Sequence, residues 1–93
     1  MDLKTYLASL PQTGRVALAE VAGTTFGHLR NVGYKLRPCS PELAAAIELA
    51  TQGAVMRWDM RPHDWRLIWP ELQARTDAPA ECLEGSQREV VNG

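Results

Sequence analysis

Arg30, Asn31, Lys35 and Arg37 fall within an eight-residue stretch that holds three cations and no acid. An arginine can fork onto O6 and N7 of guanine, and an asparagine onto N6 and N7 of adenine. Cations just beyond such residues suit backbone phosphates, which fix a protein's position without carrying sequence information. Together these side chains offer recognition of double-stranded DNA. The candidate contacts are Thr25, Phe26, Gly27, His28, Arg30, Asn31 and Tyr34, with Lys35 and Arg37 as phosphate clamps. Phe26 suits either a thymine methyl or a core position beside Leu29. Gly27 would let a backbone approach a groove closely.

Other chemistries find no constellation. His28 and His63 are 35 residues apart, and neither stands at a ligand spacing such as C-x-x-C or H-x-x-x-H with Cys39 or Cys82. His63-Asp64 lacks the further histidines and acids of a metal phosphohydrolase. No serine has a partner arrangement for nucleophilic catalysis, and no glycine-rich phosphate loop is present. The expectation is a binding protein and not an enzyme, with no metal and no cofactor.

The elements that must position these residues follow from punctuation and periodicity. Leu3, Tyr6, Leu7 and Leu10 mark one stripe of a short helix ending before Pro11. A helix is predicted from Arg15 to Ala22, stopped by Gly23, and a second from Phe26 to about Val32 with Thr25 as its N-cap. Ala19, Gly23, Leu29 and Val32 have the spacing of a helix-turn-helix running from about Arg15 to Tyr34: a small residue for close approach, a glycine for φ > 0, and apolar residues packing back. Ser40, Pro41 and Glu42 open the next helix, with Leu43, Ile47 and Ala50 on one face and Gly53 as its stop. Residues 53–57 read as extended, and a last helix is expected from Pro62 or His63 through Trp69.

Charge is divided along the chain. The formal net charge is −1, yet residues 1–69 carry eight Lys/Arg against six acids, whereas residues 70–93 carry two against five. A local basic patch, not the total, is what meets phosphate. The expected organisation is a DNA-binding domain over 1–72 and a flexible acidic tail over 73–93. Asp2 and Lys4 interrupt any opening apolar run, and no apolar stretch approaches the roughly 20 residues that span a bilayer. A cytoplasmic chain with two free thiols and no membrane partner is the expectation.

Several segments have a family likeness. Gly23-Thr24-Thr25, Leu29, Lys35-Leu36-Arg37-Pro38, Pro41-Glu42, the run from Ile47 to Val55, and Met60-Arg61-Pro62-His63-Asp64-Trp65 ending in Trp69-Pro70 carry it. Over roughly residues 3–72 the layout resembles the Cro/CI-type repressor domain, and more closely the YdaS-like group of small phage and prophage regulators, described as Cro-like repressors or antitoxins. Phe26 and Gly27 depart from the polar residues, such as Gln and Ser, that often begin the family's reading helix. The resemblance implies a lambda-repressor-like helix-turn-helix in a small all-α bundle of about five short helices. It also implies a repressor binding an operator, or alternatively an antitoxin acting by contact with a toxin partner.

One helix-turn-helix reads only a few base pairs, so a homodimer is expected. The block from Val55 to Trp69 holds three tryptophans, and Val55, Trp58, Trp65 and Trp69 are the candidate dimerisation residues. The competing expectation is that all three rings cover the chain's own core.

Overall fold

The structure, a computed structural model, describes residues 1–79. The fold is all-helical: the described residues form six α-helices and one 3-10 segment, with no strand. Helix α1 (Leu3–Ala8) is capped by Asp2, whose carboxylate accepts the Thr5 N–H at 2.8 Å. Helix α2 (Gln12–Val21) begins three residues earlier than its composition suggests. Pro11 cannot continue α1, but its carbonyl accepts the Arg15 N–H at 3.0 Å and so starts the next helix. Helix α3 (Phe26–Gly33) starts at Thr25, whose hydroxyl accepts the His28 N–H at 3.2 Å. Helix α4 (Pro41–Ala50) starts at Ser40, whose hydroxyl accepts the Leu43 N–H at 3.1 Å.

The turn between α2 and α3 is a Schellman motif. Gly23 has φ +81°, Thr24 N–H reaches the Ala19 carbonyl at 2.9 Å, and Gly23 N–H reaches Glu20 at 3.1 Å. Ala19 is buried beneath this turn, and Leu29 is wholly buried where α3 packs back onto α2. The small residue, the glycine and the apolar return together form a helix-turn-helix. Helix α1 lies across α3, and a Cβ at Gly33 would stand 3.5 Å from the Lys4 backbone. The main core gathers Leu3, Leu7, Leu18, Leu29, Val32, Ala44, Ile47 and Val55. Each large side chain there contributes about 1.5–3 kcal/mol by leaving water.

The segment expected to be extended is a turn instead. Gln52 (φ 55°) and Gly53 (φ +87°) reverse the chain, and the buried Thr51 hydroxyl accepts the Val55 N–H at 3.1 Å while donating to the Ile47 carbonyl at 2.8 Å. Met56 has extended dihedrals just before helix α5 (Arg57–Met60) begins. The Glu48 carboxylate fixes that start, accepting both the Arg57 backbone N–H at 2.9 Å and its Nε at 3.0 Å. The single last helix expected from the sequence is helix α6 (Trp65–Ile68) followed by the 3-10 segment Pro70–Ala74.

A second, smaller core of Met56, Trp58, Trp65 and Leu72 lies under this end of the chain. Trp58 and Trp65 meet edge to face with ring centroids 5.6 Å apart. Burial therefore corrects the reading of Val55, Trp58 and Trp65 as contact surface. Val55 is 0% exposed and Trp65 1%, so the fold of one chain already encloses them. Trp69 is half-buried between the two cores. The arginines of this block are engaged as well: Arg57 pairs with Glu48, and Arg61 forks onto Asp64 at 2.7 and 3.1 Å.

Cys39 is a free, buried thiol, and burial pushes it up to about 11, so it stays protonated at neutral pH. Cys82 and most of the expected acidic tail lie outside the described residues. Ala74 ends the last helical turn, and Ala78 still touches the second core. No helix among the described residues is long and apolar enough to cross a membrane.

Candidate nucleic-acid interface

Helix α3 divides its side chains into sectors. Leu29, Val32 and Gly33 face inward, and Phe26, partly buried, packs against the same core. A 3.6-residue period then turns Gly27 and Asn31 away from the core. Gly27 is exposed, with nothing within 4 Å of where a Cβ would stand. Asn31 is half-buried, and its backbone carbonyl accepts the Leu36 N–H at 2.8 Å. His28 is exposed on the flank towards the α2–α3 turn and the start of α4, where it shares a shallow depression with Glu42. Arg30 is exposed on the other flank, beside α1.

Thr25 stands exposed at the N-terminus of α3, and Tyr34, 52% exposed, at its C-terminus. The chain then leaves α3 through a second Schellman motif. Lys35 N–H reaches the Val32 carbonyl at 3.0 Å, and Lys35 itself takes the left-handed conformation with φ 64°. This turn presents Lys35 and Arg37 to solvent just past the helix.

The cations around α3 and those at the α5–α6 end differ in their partners. Arg57, Arg61 and Arg75 are held by carboxylates, and Arg66 bonds Gln73 at 2.8 Å and lies over the Trp65 ring. Arg30, Lys35 and Arg37 have no hydrogen bond or ion pair among the described residues. Structural arginines thus gather on the α5–α6 side, and uncommitted cations gather around α3. No group of three metal-ligating side chains occurs among the described residues.

Sequence reasoning passed over two members of this surface. Lys4 on α1 lies 5.2 Å over the Tyr34 ring, and Arg15 on α2 donates its Nε to the Leu7 carbonyl at 2.8 Å. Both line the same cleft as Arg30. Nothing local in the sequence announces this, since only the packing of α1 on α3 brings the three together.

A family model described as bacterial toxin YdaS matches residues 12–68, well over half of the chain. The chain belongs to this family. The YdaS match takes in α2 to α6, and so the whole helix-turn-helix with the loop that carries Lys35 and Arg37. It leaves out α1 and the 3-10 segment, although Leu3, Leu7 and Leu72 are buried parts of the two cores. A search of curated proteins finds no significant match.

Proposed function

We propose that this protein is a sequence-specific DNA-binding regulator, a Cro-like repressor of phage or prophage type, acting by binding and not by catalysis. The observation that carries this reading is the uncommitted basic edge around α3. Three cations without carboxylate partners flank an outward helix face in a helix-turn-helix, whereas Arg57, Arg61, Arg66 and Arg75 are held by partners. A solvated surface of mixed charge has no need of that segregation, whereas a phosphate backbone does. Thr25, Gly27 and Asn31 face the groove, Lys35 and Arg37 hold phosphate, and His28 and Arg30 stand at the groove's edges.

Operator binding by a homodimer belongs to the same proposal. A single module reads too few base pairs to single out one site in a genome. With Val55, Trp58 and Trp65 enclosed, self-association has to use other surface, and Leu49 and Leu67 are the most exposed large apolar side chains among the described residues.

The test is selection of bound sequences from random duplexes, followed by a salt titration of the winner. Log affinity should fall linearly with log salt, with a slope of about −0.9 for each phosphate contact. Indifference to salt, or no binding at low salt, overturns the reading.

The family's description as bacterial toxins favours a second reading, in which the chain belongs to a toxin–antitoxin pair and works by contact with a partner protein. The two separate in one experiment. If expression arrests growth and the variant Arg30→Ala/Lys35→Ala/Arg37→Ala does not, the effect runs through DNA; if both arrest growth equally, it runs through protein contact.

A further inference from the structure

Between α1, the start of α2 and the exposed flank of α3 lies a cleft of about 170 Å³. Lys4, Arg15 and Arg30 all line it, with Phe26, Tyr34 and Leu7 among its remaining walls and no carboxylate in the lining. Three like charges around one small cleft repel one another, and no carboxylate in the lining offsets that repulsion. The cations are also partly pre-oriented. The Leu7 carbonyl holds Arg15 by Nε, leaving its terminal nitrogens without a partner among the described residues, and the Tyr34 ring supports the Lys4 ammonium.

We propose that this cleft seats one phosphodiester of the DNA backbone per subunit, clamped by Lys4, Arg15 and Arg30. The inference rests on the DNA-binding reading and refines it, because it moves Arg30 from base reading to backbone holding. An arginine fork matches the paired oxygens of a phosphate, and a lysine beside it acts as a point charge. The position suits the task. The cleft opens beside the face that carries Gly27 and Asn31, and phosphates flank a helix lying in the major groove. Lys4 comes from α1, outside the span matched by the family model, so this seat is assembled by a helix that the helix-turn-helix itself does not contain.

The test uses the full chain and a duplex selected from random sequence. Lys4 and Arg30 are both exposed, so Lys4→Gln and Arg30→Gln should fold, which thermal melting checks. Each should flatten the salt slope, by no more than about one unit per subunit between them because a single phosphate is held, while leaving the preference for the selected duplex over random DNA unchanged. Neutral methylphosphonates are then substituted one at a time along the duplex. One position in each half-site should weaken binding of the wild-type protein and matter much less to Lys4→Gln/Arg30→Gln, which retains only Arg15 in the cleft. A loss of sequence preference of about tenfold or more in Arg30→Gln shows a base contact and overturns the phosphate seat. So does a methylphosphonate profile that is the same in the double variant as in the wild type. Failure of the wild-type protein to bind any duplex is a different result, since it removes the DNA-binding reading itself and this seat with it.

Discussion

Lys35 and Gln52 occupy the same place at two helix ends. Each is the left-handed residue of a Schellman motif, with φ 64° after α3 and φ 55° after α4, where Gly23 after α2 has φ +81°. A residue with a Cβ gives up about 1–2 kcal/mol in this conformation, which glycine does not. Lys35→Gly and Gln52→Gly should therefore both raise stability, by about 0.5–1 kcal/mol after the greater freedom of the unfolded chain is counted. Only Lys35→Gly should also weaken DNA binding and flatten its salt slope by about one unit. Chemical denaturation and anisotropy on the same two proteins check both halves. Equal binding by the two variants would remove Lys35 from the interface.

Gly27 and Gly33 lie on opposite sides of α3 and should respond differently. At Gly27 an added Cβ meets nothing, so Gly27→Ala should stabilise the helix by about 0.5–1 kcal/mol. If α3 presses its backbone into a groove at this point, the same substitution weakens operator binding. At Gly33 the added carbon reaches ordinary contact with Lys4, 3.5 Å away, so alanine should be tolerated, whereas Gly33→Leu should push α1 off α3 and carry Lys4 with it. Melting temperature and operator affinity, measured side by side, separate these cases.

Trp58→Ala and Trp65→Ala should unfold the chain instead of dissociating a dimer. Removing a buried tryptophan costs about 3–5 kcal/mol, a large share of the stability of a small domain. A chain ended after Ile68 should suffer similarly, because it retains the family-matched span but loses Leu72, which is 3% exposed. Circular dichroism together with sedimentation reads the difference. A well-folded monomer from Trp65→Ala would mean that the ring serves an interface.

Acid should loosen α1 first. Hydrogen bonds from Thr5, through its side chain and then its backbone, hold the Asp2 carboxyl below the usual carboxylate range. The folded value is the depressed one, so this cap stabilises fully above about pH 4 and is lost as the pH falls through the lowered folded value. Asp2→Ala should cost about 0.5–2 kcal/mol at neutral pH and remove that part of the acid dependence. Amide exchange in Leu3–Ala8, followed against pH, reports it. An unchanged profile in Asp2→Ala would assign the acid response to another group.

Much of the helix-turn-helix is local, and local physics is written in order along the chain. Gly23 is legible as a stop because only φ > 0 closes that turn cheaply, and Thr25 and Ser40 are legible as caps because each hydroxyl meets an N–H three residues on. The stretch from Arg30 to Arg37 is likewise basic in the sequence itself. Residues 53–57 misled because an apolar run of that length suits a strand as well as a buried turn. What settled it was Glu48, nine residues away, accepting from Arg57, together with the Thr51 hydroxyl holding Val55.

The sequence by itself determined the helix punctuation, the inward stripe of α3 and the basic segment that follows it, since each depends on neighbours within about one or two turns. Only the tertiary structure decided which tryptophans are enclosed, which arginines are already held by partners, and that Lys4 and Arg15 stand with Arg30. Those facts depend on the packing of α1 across α3 and of α5 and α6 over a second core. The residues involved are up to 26 positions apart, as Lys4 and Arg30 are, and no periodicity or spacing rule reaches that far. Side chains distant in sequence become neighbours only when buried apolar faces choose their partners.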